Sequence, residues 1–230
     1  NGLNLTFATL EGILKHSYPY HKSFLPSVIH EQFNLETHPS IEAMIVDRAD
    51  EIAYTSHDID DGINSGLISF DDLRESELVY EILQKVEDEG IEESDSEMFR
   101  YRFSSHLINH LVYSLLEYSR EKILVGEVQS ATLDSKSEIP VGLDKALETK
   151  LKKLKKILFK KLYQHQGIVT KMYAGKQAVR GLYNGLMEES KMLPKPLYKQ
   201  LSERSKHRVI ADYIASMSDR HAINFYKEMY

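Results

Sequence analysis

Residues 39–66 read PSIEAMIVDRADEIAYTSHDIDDGINSG, and the reading of this stretch decides the fold class. Its spacing predicts one long amphipathic helix, closed at Gly62 or Gly66. On a helix of about 3.6 residues per turn, Asp47, Asp50, Tyr54, His57, Asp58 and Asp61 share an arc of roughly 100°. Ile41, Ile45, Ile52, Ile59 and Ile63 fall on the opposite side. Four carboxylates, an imidazole and a phenol thus occupy one face, with no Lys or Arg among them. Most such faces simply meet water, and residue types alone favour that reading. Two details oppose it. Exposed helix faces usually interleave acids and bases at i,i+4, and a central tyrosine ring gains more from packing than from water. Crowded carboxylates also repel one another until a cation neutralises some of them. The alternative is therefore one wall of a metal and phosphate site.

Helical spacing continues on both sides. Thr6 is placed to cap a helix over Phe7–Lys15. Tyr18 to Glu36, with Pro19 and Pro26, reads as an irregular connection. A short helix starts at Ser69 or Asp71, and a second runs from Glu77 to a stop at Gly90. Met98–Leu124 is a long helix with Phe103, Leu107, Leu111, Leu115 and Tyr118 directed inward. Residues 125–142 are polar and Ser-rich and read as a linker, with Gly126–Gln129 as a short extended piece. Leu143–Tyr163 is a Lys-rich amphipathic helix, and Ile168–Glu188 is another despite Gly175, Gly181 and Gly185. Beyond Pro194 and Pro196 the chain is helical again, through Arg208–Ser216 and Asp219–Met229. The fold class is all-α.

At 230 residues the chain has ample material for a core, and 42% hydrophobic with 28% charged residues is an ordinary globular balance. No apolar run approaches the roughly 20 residues that cross a bilayer, so no membrane partner is expected. The absence of cysteine excludes disulfides and thiolate chemistry and fits a reducing compartment, with the cytoplasm as the expectation. A net charge of −6 argues against general nucleic-acid coating and leaves room only for a local basic patch. The start Asn1-Gly2-Leu3, without an initiator Met, reads as the interior of a longer protein.

Two further constellations carry less. Seven lysines lie between Lys150 and Lys161; most read as a solvated face, with one or two free to meet phosphate charge. His106 and His110 stand at i,i+4, but no acidic base accompanies them in an HExxH order, which favours a structural role.

The segment Ile45–Gly62, IVDRADEIAYTSHDIDDG, resembles the signature of the deoxyguanosine triphosphate triphosphohydrolase (dGTPase) family, a branch of the HD-domain metal phosphohydrolases. Gly2–Lys15, GLNLTFATLEGILK, is similar to the family segment that precedes the signature. Arg208–Ala222, RVIADYIASMSDRHA, is similar to its C-terminal helix-turn-helix. The resemblance implies an HD-domain-like helical bundle over 1–124, a linker over 125–142 and a C-terminal helical region over 143–230. It implies hydrolysis of a deoxynucleoside triphosphate to deoxynucleoside and inorganic triphosphate, with a divalent metal (magnesium, manganese or a transition metal) on a His…His-Asp…Asp ligand set. Asp50, four residues before Tyr54, matches the last Asp of that set. Tyr54 and Asp58 match positions that touch phosphate or sugar. More loosely, Tyr163 matches a residue packed on the deoxyribose, and Lys155, eight residues earlier, one near phosphate. His57-Asp58 is an HD dipeptide but not at the position of the ligand pair. The missing His and His-Asp are expected before Asn1, so this chain alone is expected to be inactive. A homo-oligomer is implied too. The competing expectations are another HD-domain nucleotide phosphohydrolase and a non-catalytic regulatory or oligomerisation fragment.

Overall fold

A computed structural model describes residues 3–17, 20, 25–93, 96–125 and 139–230. The expected linker over 125–142, with its extended piece at Gly126–Gln129, lies mostly outside these residues. Eleven α-helices and no β-strand are found among them, so the fold is all-α as expected. None of the helices is long and apolar enough to cross a membrane. The chain divides into two compact units, residues 1–162 and 163–230.

In the first unit, α1 (Phe7–Leu14) starts at Thr6, whose hydroxyl accepts from the Thr9 amide at 3.2 Å. The region expected to be irregular contains a helix, α2 (Ser27–Phe33), entered from Pro26 and ended by Asn34 at φ 42°. Pro26, one of the two prolines that suggested irregular chain, stands at the start of this helix instead, a position where proline is tolerated. Phe33 stacks on Phe7 with centroids 4.7 Å apart and forms a small core with Tyr20 and Leu35.

Helix α3 (Ile41–Asn64) is the predicted long helix, capped by Ser40. Its buried residues are Met44, Ile52, Thr55, Ser56, Ile59 and Gly62. Ile52 and Ile59 thus point inward as expected, whereas Ile45 is exposed together with Val46. Helix α4 (Phe70–Leu73) begins with a Ser69–Asp72 capping box, and α5 (Glu77–Asp88) with Ser76. The 30-residue α6 (Ser96–Val125) packs against both α3 and α5. Its stripe Phe99, Phe103, Leu107, Leu111 and Leu115 is buried at four-residue spacing, and each such side chain contributes about 1.5–3 kcal/mol. Phe70 seats its ring edgewise against Phe99 and Phe103, 5.2 and 5.0 Å between centroids.

Helix α7 (Lys145–Leu158) is capped by Asp144 and buries Leu147, Leu151, Leu154 and Leu158, leaving Lys145, Lys152, Lys153 and Lys156 outward. It packs against α4 and α5 and runs into a π-helical turn, Phe159–Tyr163. Leu162 in that turn closes on the end of α3. A Cβ at Gly62 would stand 2.8 Å from Ile68 and 3.2 Å from Leu162, so the glycine makes room for the chain after α3 and for the π-helical turn to pack here.

The second unit is built on α8 (Gln166–Glu188). After a 3₁₀ turn come α9 (Lys195–Gln200), α10 (Lys206–Ala215) and α11 (Asp219–Met229). Leu186, Leu193, Val209 and Ile210 form its core, with Tyr183, Tyr213 and Phe225 around it. The glycines of α8 divide by role. A Cβ on Gly181 would run into the Tyr226 ring, and one on Gly185 into the Met229 methyl, whereas Gly175 faces open space. Gly181→Ala is expected to cost about 1–3 kcal/mol through overpacking against a ring. Gly185→Ala should cost less, because a methionine tip can move aside. Gly175→Ala should raise stability by about 0.5–1 kcal/mol. Thermal unfolding of the three variants checks this ranking.

Candidate functional site

The outward face of α3 borders a cavity of about 400 Å³. Its wall combines Asp47, Arg48, Asp50, Glu51 and Tyr54 of α3 with His16 and Ser17 beyond α1, Tyr20, Ile139, Val141 and Lys155 of α7. Three candidates from the sequence, Asp50, Tyr54 and Lys155, therefore share one concavity. Asp58 lies one turn beyond Tyr54 on α3, half-buried, and is not among the lining residues. Tyr163 belongs to the second unit, where it is half-buried at the end of the π-helical turn.

The face is less uniformly acidic than its helical wheel, because cations reach it from elsewhere. The Lys155 ammonium donates to Glu51 Oε1 at 2.6 Å, across 104 residues of sequence, and lies 5.5 Å from the Tyr54 ring centroid. Arg48 donates to the other Glu51 oxygen, also at 2.6 Å, and its second nitrogen is 3.5 Å from Glu148 of α7. Glu148 in turn pairs with Lys152 at 3.4 Å. Asp47 binds the His16 ring and accepts from the Ser17 amide at 3.1 Å. On the flank, Asp60 holds Arg100 of α6 at 3.1 Å.

These contacts decide the protonation states. Burial works to raise the Glu51 carboxyl, but hydrogen bonds from Lys155 and Arg48 outweigh it and keep the group below the usual carboxylate range. Burial likewise opposes charge on Lys155, and hydrogen bonding to Glu51 and Tyr54 overrides it, holding the ammonium above the ordinary lysine value. Asp50 differs. It is exposed and makes no ion pair among the described residues, so its oxygens face the cavity without a cation. Chemically, the arrangement offers one open carboxylate, one amine beside an aromatic ring and a bridged arginine. That set accepts a hard cation on one side and an anion on the other.

Sequence reasoning passed over Glu51, Arg48 and His16. Glu51 stands about 20° and Arg48 about 80° outside the wheel's acidic arc, so a strict face count drops them. His16 follows the end of α1, and no local pattern ties it to Asp47, 31 residues away.

The chain can now be set beside known proteins. A phosphohydrolase-associated domain profile matches residues 141–228. A deoxyguanosinetriphosphate triphosphohydrolase-like protein of Wolinella succinogenes is 57% identical over the whole of this chain, which covers 63% of that relative. Proteins of the same name from Geobacter metallireducens and Bordetella pertussis are each 34% identical, again over the whole chain and 59% of their own length. Over its whole length this chain is similar to proteins named dGTPase-like. Its relatives are thus hydrolase-family proteins by name, and the chain spans about three-fifths of their length.

The histidine pair at i,i+4 has a structural place in this chain. His106 Nε2 lies 2.9 Å from Glu89, which also accepts two bonds from Arg102 at 2.8 and 2.5 Å. His110 is half-buried, and burial, with Lys85 adding to it, pulls its ring below the ordinary histidine range. Among the described residues no group of three His, Asp or Glu could hold a metal ion. The Arg102 hydrogen bonds, with His106 adding to them, hold the Glu89 carboxyl at about 2, against 4.5 ordinarily. A carboxylate lowered on folding adds stability above its unfolded pKa and loses it as pH falls through the folded value. Glu89→Gln is therefore expected to flatten the stability profile between about 4.5 and 2. Urea unfolding at stepped pH, followed by circular dichroism, measures the change; parallel profiles would refute it.

Proposed function

We propose that this chain supplies one wall of a metal-dependent deoxynucleoside triphosphate triphosphohydrolase, acting on dGTP or a related dNTP. One observation carries the reading: Asp50 and Tyr54 on α3 and Lys155 on α7 line a single cavity. The names of the relatives supply the substrate class.

A divalent ion fits the open Asp50 carboxylate as one oxygen donor. The other ligands, for which the family pattern calls on two His and an Asp, would come from outside the described residues. When bound, such an ion polarises a phosphate oxygen and orients water, which is the Lewis-acid chemistry that triphosphate release requires. The residues of this chain do the rest. Lys155 offsets phosphate charge. Tyr54 offers a ring and a hydroxyl beside it, and Asp58 accepts from the sugar 3′-hydroxyl. Magnesium or manganese suits a carboxylate-containing set, and other transition metals suit its imidazoles. A homo-oligomer in the cytoplasm completes the reading.

The test uses the protein as its organism makes it. With Mg²⁺ or Mn²⁺, dGTP should yield deoxyguanosine and inorganic triphosphate. Asp50→Asn should lower turnover by about 10³-fold or more and weaken metal binding in calorimetry, with an unchanged circular dichroism spectrum. Orthophosphate as the product would shift the reading to another HD-domain phosphohydrolase. Full activity in Asp50→Asn would sink the site assignment.

A further inference from the structure

We propose that Glu51 is a positioning residue that competes with the phosphate ligand for Lys155, so that Lys155 acts as an exchangeable cation rather than a fixed anchor. The proposal rests on the phosphate-binding reading of Lys155 given above and adds a partner that sets its affinity.

The geometry provides for exchange. Glu51 is held by two cations at once, Lys155 on one oxygen and Arg48 on the other, each at 2.6 Å. Stripping the last partner from a half-buried carboxylate is costly, because the charge is left uncompensated. Glu51 escapes that cost: when Lys155 leaves, Arg48 remains bonded. Arg48 is itself braced from α7, 3.5 Å from Glu148, and therefore stays in place. Lys155 has no such second carboxylate among its described ion pairs. Its side chain is 37% exposed, against 18% for Glu51, so the amine is the member of the pair with room to move. The Tyr54 ring, 5.5 Å from the ammonium, gives it a cation–π surface next to the cavity.

The consequence is a threshold. A phosphate ligand reaching Lys155 must outcompete a carboxylate already bonded to it, and only a strongly charged group makes that exchange favourable. Dense polyphosphates meet the condition better than neutral or singly charged ligands. Glu51 lowers absolute affinity while keeping Lys155 charged and placed at the cavity wall before any ligand arrives.

The experiment titrates inorganic tripolyphosphate into the 230-residue chain at low ionic strength by calorimetry, without metal. Four proteins are compared: the unchanged chain, Glu51→Gln, Lys155→Ala and the double variant. Glu51→Gln is expected to bind about tenfold more tightly than the unchanged chain, and the gain should vanish when Lys155→Ala is added. A purely structural Glu51 would give weaker or unchanged binding in Glu51→Gln. Unchanged or weaker binding in that variant, with Lys155→Ala still lowering affinity, overturns the competition and leaves the phosphate site standing. Absence of tripolyphosphate binding in all four proteins overturns both.

Discussion

The packing of α3 on α6 is the constraint on which the first unit depends. The buried middle of α3 is Ile52, Thr55, Ser56 and Ile59, a strip with two small side chains on the helix that packs against α6 and its Phe and Leu stripe. Small residues let helix axes approach closely, and Thr55 satisfies its buried hydroxyl by donating to the Glu51 carbonyl at 2.7 Å. The Asp60–Arg100 bridge then ties the two helices in register. Once this face is committed to α6, Asp47, Asp50 and Tyr54 have only one direction left. They must line whatever lies on the other side.

What lies there is set by α7. Its leucine stripe seats it beside α4 and α5, and Gly62 lets the Leu162 turn close on the end of α3. Lys155 therefore projects at Glu51 rather than into water. The lysine-rich helix and the acidic helix neutralise each other in part, through side chains that no local pattern connects. Pairs of this kind between half-buried groups mainly fix geometry, since desolvation offsets much of the Coulomb attraction.

The sequence made the helices legible because burial follows a 3.6-residue period. The ends of α3, α5 and α8 fall within a residue or two of their caps and stops, and the leucines of α6 are buried where the spacing places them. The helix over Ser27–Phe33 was hidden because two prolines were read as breakers when one of them marks a start. Ile45 misled for a different reason. A wheel knows which side is apolar but not whether a neighbour covers it, and nothing buries that end of α3 as deeply as α6 buries its middle. In the site, Asp50, Tyr54 and Lys155 were found through family resemblance, and the fold gathers them into one cavity. Glu51 and His16 stayed invisible because their partners lie 104 and 31 residues away, and such pairings exist only after folding.

Charge counting links the remaining roles. A triphosphate carries several negative charges, and α3 presents Asp47, Asp50 and Glu51 to the same cavity. Asp47 is hydrogen-bonded by the His16 ring and the Ser17 amide, and Glu51 is held by two cations, so both carboxylates are partnered. Asp50 is not, and bare it would repel the ligand that Lys155 attracts. A lysine and an already bridged arginine offset only part of the combined charge of the open carboxylate and a polyphosphate at close range. A cation on Asp50 would therefore tighten phosphate binding at this wall without being a condition for it. The roles proposed for Asp50 toward metal and for Lys155 toward phosphate would consequently reinforce each other, whichever is measured first.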